Sequence, residues 1–202
     1  MYLDDCQFSN DNWYHRNRIK TPQGICRLQV PLEMHFGDLI NQIRTKDELN
    51  WREKHLKTIR MNYAKASHFD EIYPEFEALL MTGYSSLADM NMAIDTWMIR
   101  SFGFDLPITK SSDLPIHTLS ETRVMDICDL YHTDIYLSGY GAANYQVEEH
   151  FTQRGIQLQY YDFKAPEYPQ LWKKAGFIPN LSAIDYIFNC GFDWEPIEKA
   201  ML

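Results

Sequence analysis

Asp134-Ile135-Tyr136-Leu137-Ser138, the turn Gly139-Tyr140-Gly141-Ala142, a helical stretch ending near Arg154, and Ile156-Gln157-Leu158-Gln159-Tyr160 read in order as strand, turn, helix and strand. The last segment alternates apolar and polar residues with a period of two, as a half-buried strand does. A strand–helix–strand unit joins parallel strands by a right-handed crossover. The expected fold class is therefore α/β, an open, mainly parallel sheet with a helical insertion. Just upstream, Thr118-Leu119-Ser120-Glu121 has capping-box spacing and opens a helix whose apolar stripe is Val124, Ile127, Cys128 and Tyr131.

Working outward, Leu106 to Lys110 is a predicted strand, and Cys26-Arg27-Leu28-Gln29-Val30 is another, entered from a turn at Thr21-Pro22-Gln23-Gly24 and closed by Pro31. Met1-Tyr2-Leu3 is a short apolar run that ends in Asp4 and Asp5. From about 50 to 103 the pattern is helical, with candidate caps at Asn50, Ser67 and Ser86. Its clearest stripes are Ile72, Phe76, Leu79, Leu80 and then Leu87, Met90, Ile94, Trp97, Met98, with Gly83 and Gly103 where helices would stop. This block is the predicted insertion into a single domain spanning 1–202. A last helix opens at Ser182 and Asp185 and ends at Gly191.

With 45% hydrophobic residues and 13 Tyr, 11 Phe and 5 Trp, the 202-residue chain can bury a sizeable core without staples. It contains no run of about 18 apolar residues that would span a membrane. Its opening residues are acidic where a signal peptide is cationic. The four cysteines, Cys6, Cys26, Cys128 and Cys190, form no Cys-x-x-Cys pair. Reduced thiols and a cytoplasmic location are expected. A net charge of −9 repels nucleic acid, whose binding depends on Lys and Arg displacing counterions. Seven histidines lie without a paired spacing, so no preformed histidine metal site is expected, and no cofactor is assigned.

Several stretches offer chemistry. The Ser138-Gly139-Tyr140-Gly141 turn can bring backbone N–H groups to an anion, or its glycines can serve only a left-handed turn. Asp4 and Asp5, at the carboxyl end of a predicted strand, are a candidate base or metal ligand, or an exposed turn pair. His15-Arg16-Asn17-Arg18-Ile19-Lys20 concentrates cations in an acidic chain, and Arg16 and Arg18 suit phosphate or carboxylate; a solvated loop is the alternative. Lys54 and His55 read as a solvated helix face or a phosphate clamp. Cys190, after Asn189 at a helix end, reads as a buried structural thiol, with a nucleophile as the alternative. In Tyr168-Pro169-Gln170 and at Asn180, polar groups can orient a sugar hydroxyl or amide. Tyr145 completes the candidate ligand set.

Asp4 to Ser9 through Trp13, Arg16 to Pro22, Asn50-Trp51-Arg52-Glu53-Lys54-His55, Tyr136 to Ala142, Tyr168-Pro169-Gln170, Phe177 to Ser182 and Asn189-Cys190-Gly191 together resemble the WbqC-like family. Members usually open with a further strand, a His-Gln-Pro and Tyr-x-Pro-Trp-x-Gly-Tyr type motif and a helix; this chain starts after it, so that element is expected to be absent. The resemblance implies a place in bacterial surface-polysaccharide pathways of the O-antigen type. It also implies transfer of an acyl or aminoacyl group to a nucleotide-linked amino sugar. The alternative is a non-catalytic sugar-nucleotide-binding or partner module of a glycan-assembly complex. The expected partners are a sugar nucleotide or an activated acyl donor, and a homo-oligomer is compatible with the sequence.

Overall fold

A computed structural model describes residues 1–10 and 12–201, which divide into two compact units: Met1–Ser112 with Ala165–Leu202, and Asp113–Lys164.

In the first unit Pro22-Gln23 is a two-residue turn, and so short a turn returns the chain antiparallel. β1 (Arg16–Thr21) therefore pairs with β2 (Gly24–Gln29), Ile19 facing Cys26. Gly24 takes the left-handed φ of 108° that the turn needs, and the Thr21 hydroxyl donates to its carbonyl at 3.0 Å. β3 (Leu32–Glu33) and β4 (Arg44–Thr45) form a second antiparallel pair. Three helices follow, α1 (Trp51–Tyr63), α2 (Phe69–Met81) and α3 (Leu87–Ser101). Their apolar faces share one core with Ile19 of β1 and with Ile184, Ile187 and Phe188 further along the chain. Phe188 sits at its centre, its ring 5.1 Å from Phe69, 5.6 Å from Tyr63 and 6.1 Å from Phe76. Burying such rings is the largest favourable contribution available to this unit.

The second unit holds α4 (Ser120–Leu130), β5 (Ile135–Gly139), α5 (Glu148–Gln153) and β6 (Gln157–Tyr161). β5 and β6 are parallel, with Tyr136 opposite Leu158, as the crossover pattern requires. Phe151, Ile156, Leu158, Met125 and Cys128 form its small core. Returning to the first unit, α6 (Ala183–Cys190) and α7 (Glu195–Met201) complete the chain.

The mixed α/β class holds. The described strands nevertheless form three two-stranded sheets, not one open, mainly parallel sheet, and only β5–β6 is parallel. Tyr2 makes a single parallel bridge to Lys110, and Leu106 to Thr109 adds no strand pairing. The cap readings divide. Ser86 accepts from the Asp89 backbone at 3.1 Å as a true N-cap, whereas α2 opens after His68 and not at Ser67. Asn50 precedes α1 in a left-handed conformation without a capping bond. The Thr118–Glu121 box does not form: Thr118 donates to Asp126 at 2.5 Å, and Glu121 accepts from the Val147 backbone at 2.6 Å. Among the described residues no helix is long and apolar enough to cross a membrane.

Candidate functional site

In the first unit the chain from Asn12 to Asn17, together with β2, α1, α2, α3 and the start of α6, lines a half-open cavity of about 560 Å³. Small-molecule sites run from about 300 to 1,000 Å³. Its floor is apolar: Leu28, Val30, Ile59, Phe76, Leu80, Met90, Ile94, Met98 and Ile184. Polar groups stand in the wall at few points, among them Tyr2, His15, Arg16, Asn17, His55, Asn91 and Asp95.

His15 is the most enclosed of these, at 5% exposure, and its Nδ1 has no hydrogen-bond partner. The Val30 amide donates to the His15 carbonyl at 2.8 Å, and the ring packs 5.4 Å from Phe8, so backbone and ring are both held. Burial, reinforced by the neighbouring Arg16 charge, holds its pKa below the usual histidine value of 6.5. At neutral pH it is an uncharged imidazole able to accept a proton. Burial lowers His55 as well, against the opposing pull of the Gln29 backbone carbonyl on the ring N–H. Burial raises Asp95, and pushes the Tyr2 phenol up to about 12, the Asn91 amide nearby opposing it without a well-formed hydrogen bond.

The expected site residues distribute as follows. Arg16 and Asn17 line the cavity. Arg18 is partly committed: its Nη2 donates to the Asn180 carbonyl at 2.7 Å and its guanidinium lies 5.2 Å from the Trp13 ring centre. Gln170 is buried and structural, accepting from Lys20 Nζ and the Ile178 amide, each at 3.0 Å, and donating to the Ile178 carbonyl. Asp4, 1% exposed, accepts from the Ser112 hydroxyl at 2.7 Å, the Ser112 amide at 3.0 Å, Asn41 at 3.2 Å and Ser111 at 3.3 Å. Burial raises its pKa, but these donors win and hold it below the ordinary carboxylate value. Ser111 also donates to Asp5 at 2.5 Å.

Ser138, Gly139, Gly141 and Tyr145 belong to the second unit. Ser138 is buried and donates to Gln146 at 3.0 Å, while Tyr145 is 72% exposed. Gly139 has φ −66°, neither glycine is left-handed, and a Cβ at either would meet nothing within 4 Å. The left-handed turn that was the alternative reading is absent, and a short 3₁₀ turn, Tyr140–Asn144, stands there. The first turn of α5 carries Glu148 and Glu149, like charges for any anion at that end.

The model of the WbqC-like protein family matches residues 1–195 of the chain. The chain belongs to that family. The uncharacterized protein Rv1507c of Mycobacterium tuberculosis is 29% identical over 195 residues, which cover 95% of this chain and 83% of that protein. No solved structure matches.

Several stretches of the WbqC-like chain that carried the resemblance build a buried network under β1. Asp185, fully buried, accepts from the Tyr63 hydroxyl at 2.5 Å and the Tyr168 hydroxyl at 2.8 Å. Lys20, 1% exposed, donates to Gln170 and, at 2.5 Å, to the Gly176 carbonyl; burial lowers its pKa and the Asp185 charge opposes this. Asn189 accepts from Leu171 and donates to the Asp185 carbonyl, pinning the loop to α6. Cys190 is pushed up to about 11 by burial, then by Asp185 and Asp193, which makes it a poor nucleophile. His15 was legible only as part of a cationic run. Asn91 and Asp95 carry a signal of their own in the sequence, a polar pair at i, i+4 running directly beside the Met90–Ile94–Met98 stripe.

Proposed function

We propose that this WbqC-like chain transfers an acyl or aminoacyl group from an activated donor to the amine of a nucleotide-linked amino sugar, in the cytoplasmic stage of surface-polysaccharide assembly. The observation that carries the reading is the cavity wall: an uncharged imidazole of the lining, its unpartnered Nδ1 shielded from solvent, next in sequence to Arg16 and among largely apolar side chains.

In the proposed reaction the sugar amine attacks the donor's carbonyl carbon. The new C–N bond forms as the bond to the leaving group breaks, and the electron pair departs with that group. The amine's proton passes to neutral His15 and from it to the leaving group. Arg16 draws the anionic part of a substrate to the cavity. His15 suits the base role better than Asp4, whose carboxylate is occupied by four donors. That occupancy favours a second reading, a sugar-nucleotide-binding module without chemistry.

The test is mass spectrometry of a uridine diphosphate amino sugar incubated with the protein and thioester or aminoacyl-ester donors. A mass increase of one acyl or aminoacyl group supports transfer. Binding of the sugar nucleotide with no new product supports the binding module.

A further inference from the structure

Asn91 and Asp95 stand one turn apart on α3, so they share a helix face, and both line the cavity beside Ile94 and Met98. The Asn91 amide nitrogen donates to the Tyr14 carbonyl at 2.9 Å, which leaves Oδ1 as an acceptor. Asp95 makes no hydrogen bond or ion pair with any described residue, and burial alone perturbs it. It caps no helix and pairs with no cation. A carboxylate kept half-buried among apolar side chains without a counter-charge is costly to the fold. The unpartnered Tyr2 hydroxyl on the same wall can meet one of these acceptors, and the other is left for an ammonium, which carries three donors and no acceptor.

The rest of the cavity narrows the ligand. An amino sugar would set its ring hydroxyls against an apolar floor with few partners. An apolar amino-acid side chain matches that floor. We infer that the cavity is an aminoacyl site: Asp95 receives the α-ammonium of an apolar amino acid, and its side chain lies over Leu28, Ile59, Phe76 and Leu80. This rests on the transfer reading and narrows the transferred group to aminoacyl. Holding the α-nitrogen as an ammonium also keeps it from competing with the sugar amine as a nucleophile.

The test is calorimetry on the full chain with leucinamide and phenylalaninamide, each set against its amine-free counterpart, 4-methylpentanamide and 3-phenylpropanamide. Each amine-bearing probe is expected to bind about tenfold or more tighter than its counterpart, since hydrogen bonds to a charged group are worth that much. Asp95→Asn should abolish the preference while leaving the amine-free probes unchanged, and should melt no lower than the wild type because it removes an unpaired buried charge. Equal affinities within each pair on the wild type overturn the ammonium assignment, as does a preference that survives Asp95→Asn. Either result leaves the transferase reading standing with an acyl donor. Binding of glucosamine in place of all four probes also overturns the assignment. Failure of the transferase reading is seen separately, as absence of product in the mass assay.

Discussion

The Tyr63 hydroxyl donates to Asp185 Oδ2 at 2.5 Å, tying α1 to α6 across 122 residues of sequence. Tyr168 occupies the other carboxylate oxygen at 2.8 Å, and the Lys20 amide donates to the same Tyr63 hydroxyl at 2.9 Å. Asp185→Ala strands two largely buried phenol groups without an acceptor. The expected loss is on the order of 3 kcal/mol, each unsatisfied group costing about 1–3. Urea unfolding followed by fluorescence reads it; a loss below about 1 kcal/mol would remove the network from the account of stability.

Gly191 ends α6 at φ 73°, and a Cβ built there would lie 3.1 Å from two atoms of the His68 ring. The His68 amide is itself bonded to the Phe188 carbonyl at 3.0 Å, so its backbone is held in place. Gly191→Ala combines a left-handed alanine with a tight contact and is expected to cost roughly 1–3 kcal/mol. Thermal melting checks it, and an unchanged midpoint would show that the His68 ring yields freely.

Burial holds His15 and His55 below the ordinary 6.5, so the native state disfavours their charged forms. The unfolded chain then binds more protons than the native one below pH 6.5. The stability these groups contribute is full above pH 6.5 and is lost as pH falls through their native values. Raised Asp95 and Asp185 act in the opposite sense on acidification, so the histidine part is read as a difference. Between pH 7.5 and 5.5, wild type is expected to lose more stability than His15→Gln in parallel denaturant titrations. Parallel losses would contradict a buried neutral His15.

Arg16 lines the cavity, while Arg18 already donates to Asn180 and lies over Trp13. Arg16→Ala is expected to weaken binding of a uridine diphosphate amino sugar about tenfold, with a smaller change for Arg18→Ala. Calorimetry on both variants decides the order; a larger loss at Arg18 would move the anion site to the Asn180 side.

Much of the second unit was legible because its signals are local. Ile156 to Tyr160 alternates, and the crossover rule fixes β5 and β6 as parallel. The hairpin was half read. β2 alternates visibly, but β1 is RNRIKT, whose polar side chains look like a solvated loop. What makes it a buried strand is the burial of Lys20, and its acceptors lie 150 and 156 residues away, beyond any local pattern. The same distance hid the site. The cationic run from His15 to Lys20 marked the right segment but suggested charge, where burial leaves His15 neutral and Lys20 structural. Asp4 looked like a base until Ser111, Ser112 and Asn41 surrounded it.

If the cavity carries out transfer with His15 as its base, the initial rate of product formation separates wild type from His15→Gln. Glutamine keeps similar bulk and polarity but cannot take up a proton near neutral pH. The wild type is expected to join an aminoacyl group to the sugar amine, and His15→Gln to fall about a hundredfold or more in rate. Sugar-nucleotide affinity should change little, since Arg16 remains. A variant as fast as the wild type would remove His15 as the base, and a wild type that binds the sugar nucleotide and never modifies it would rule out transfer.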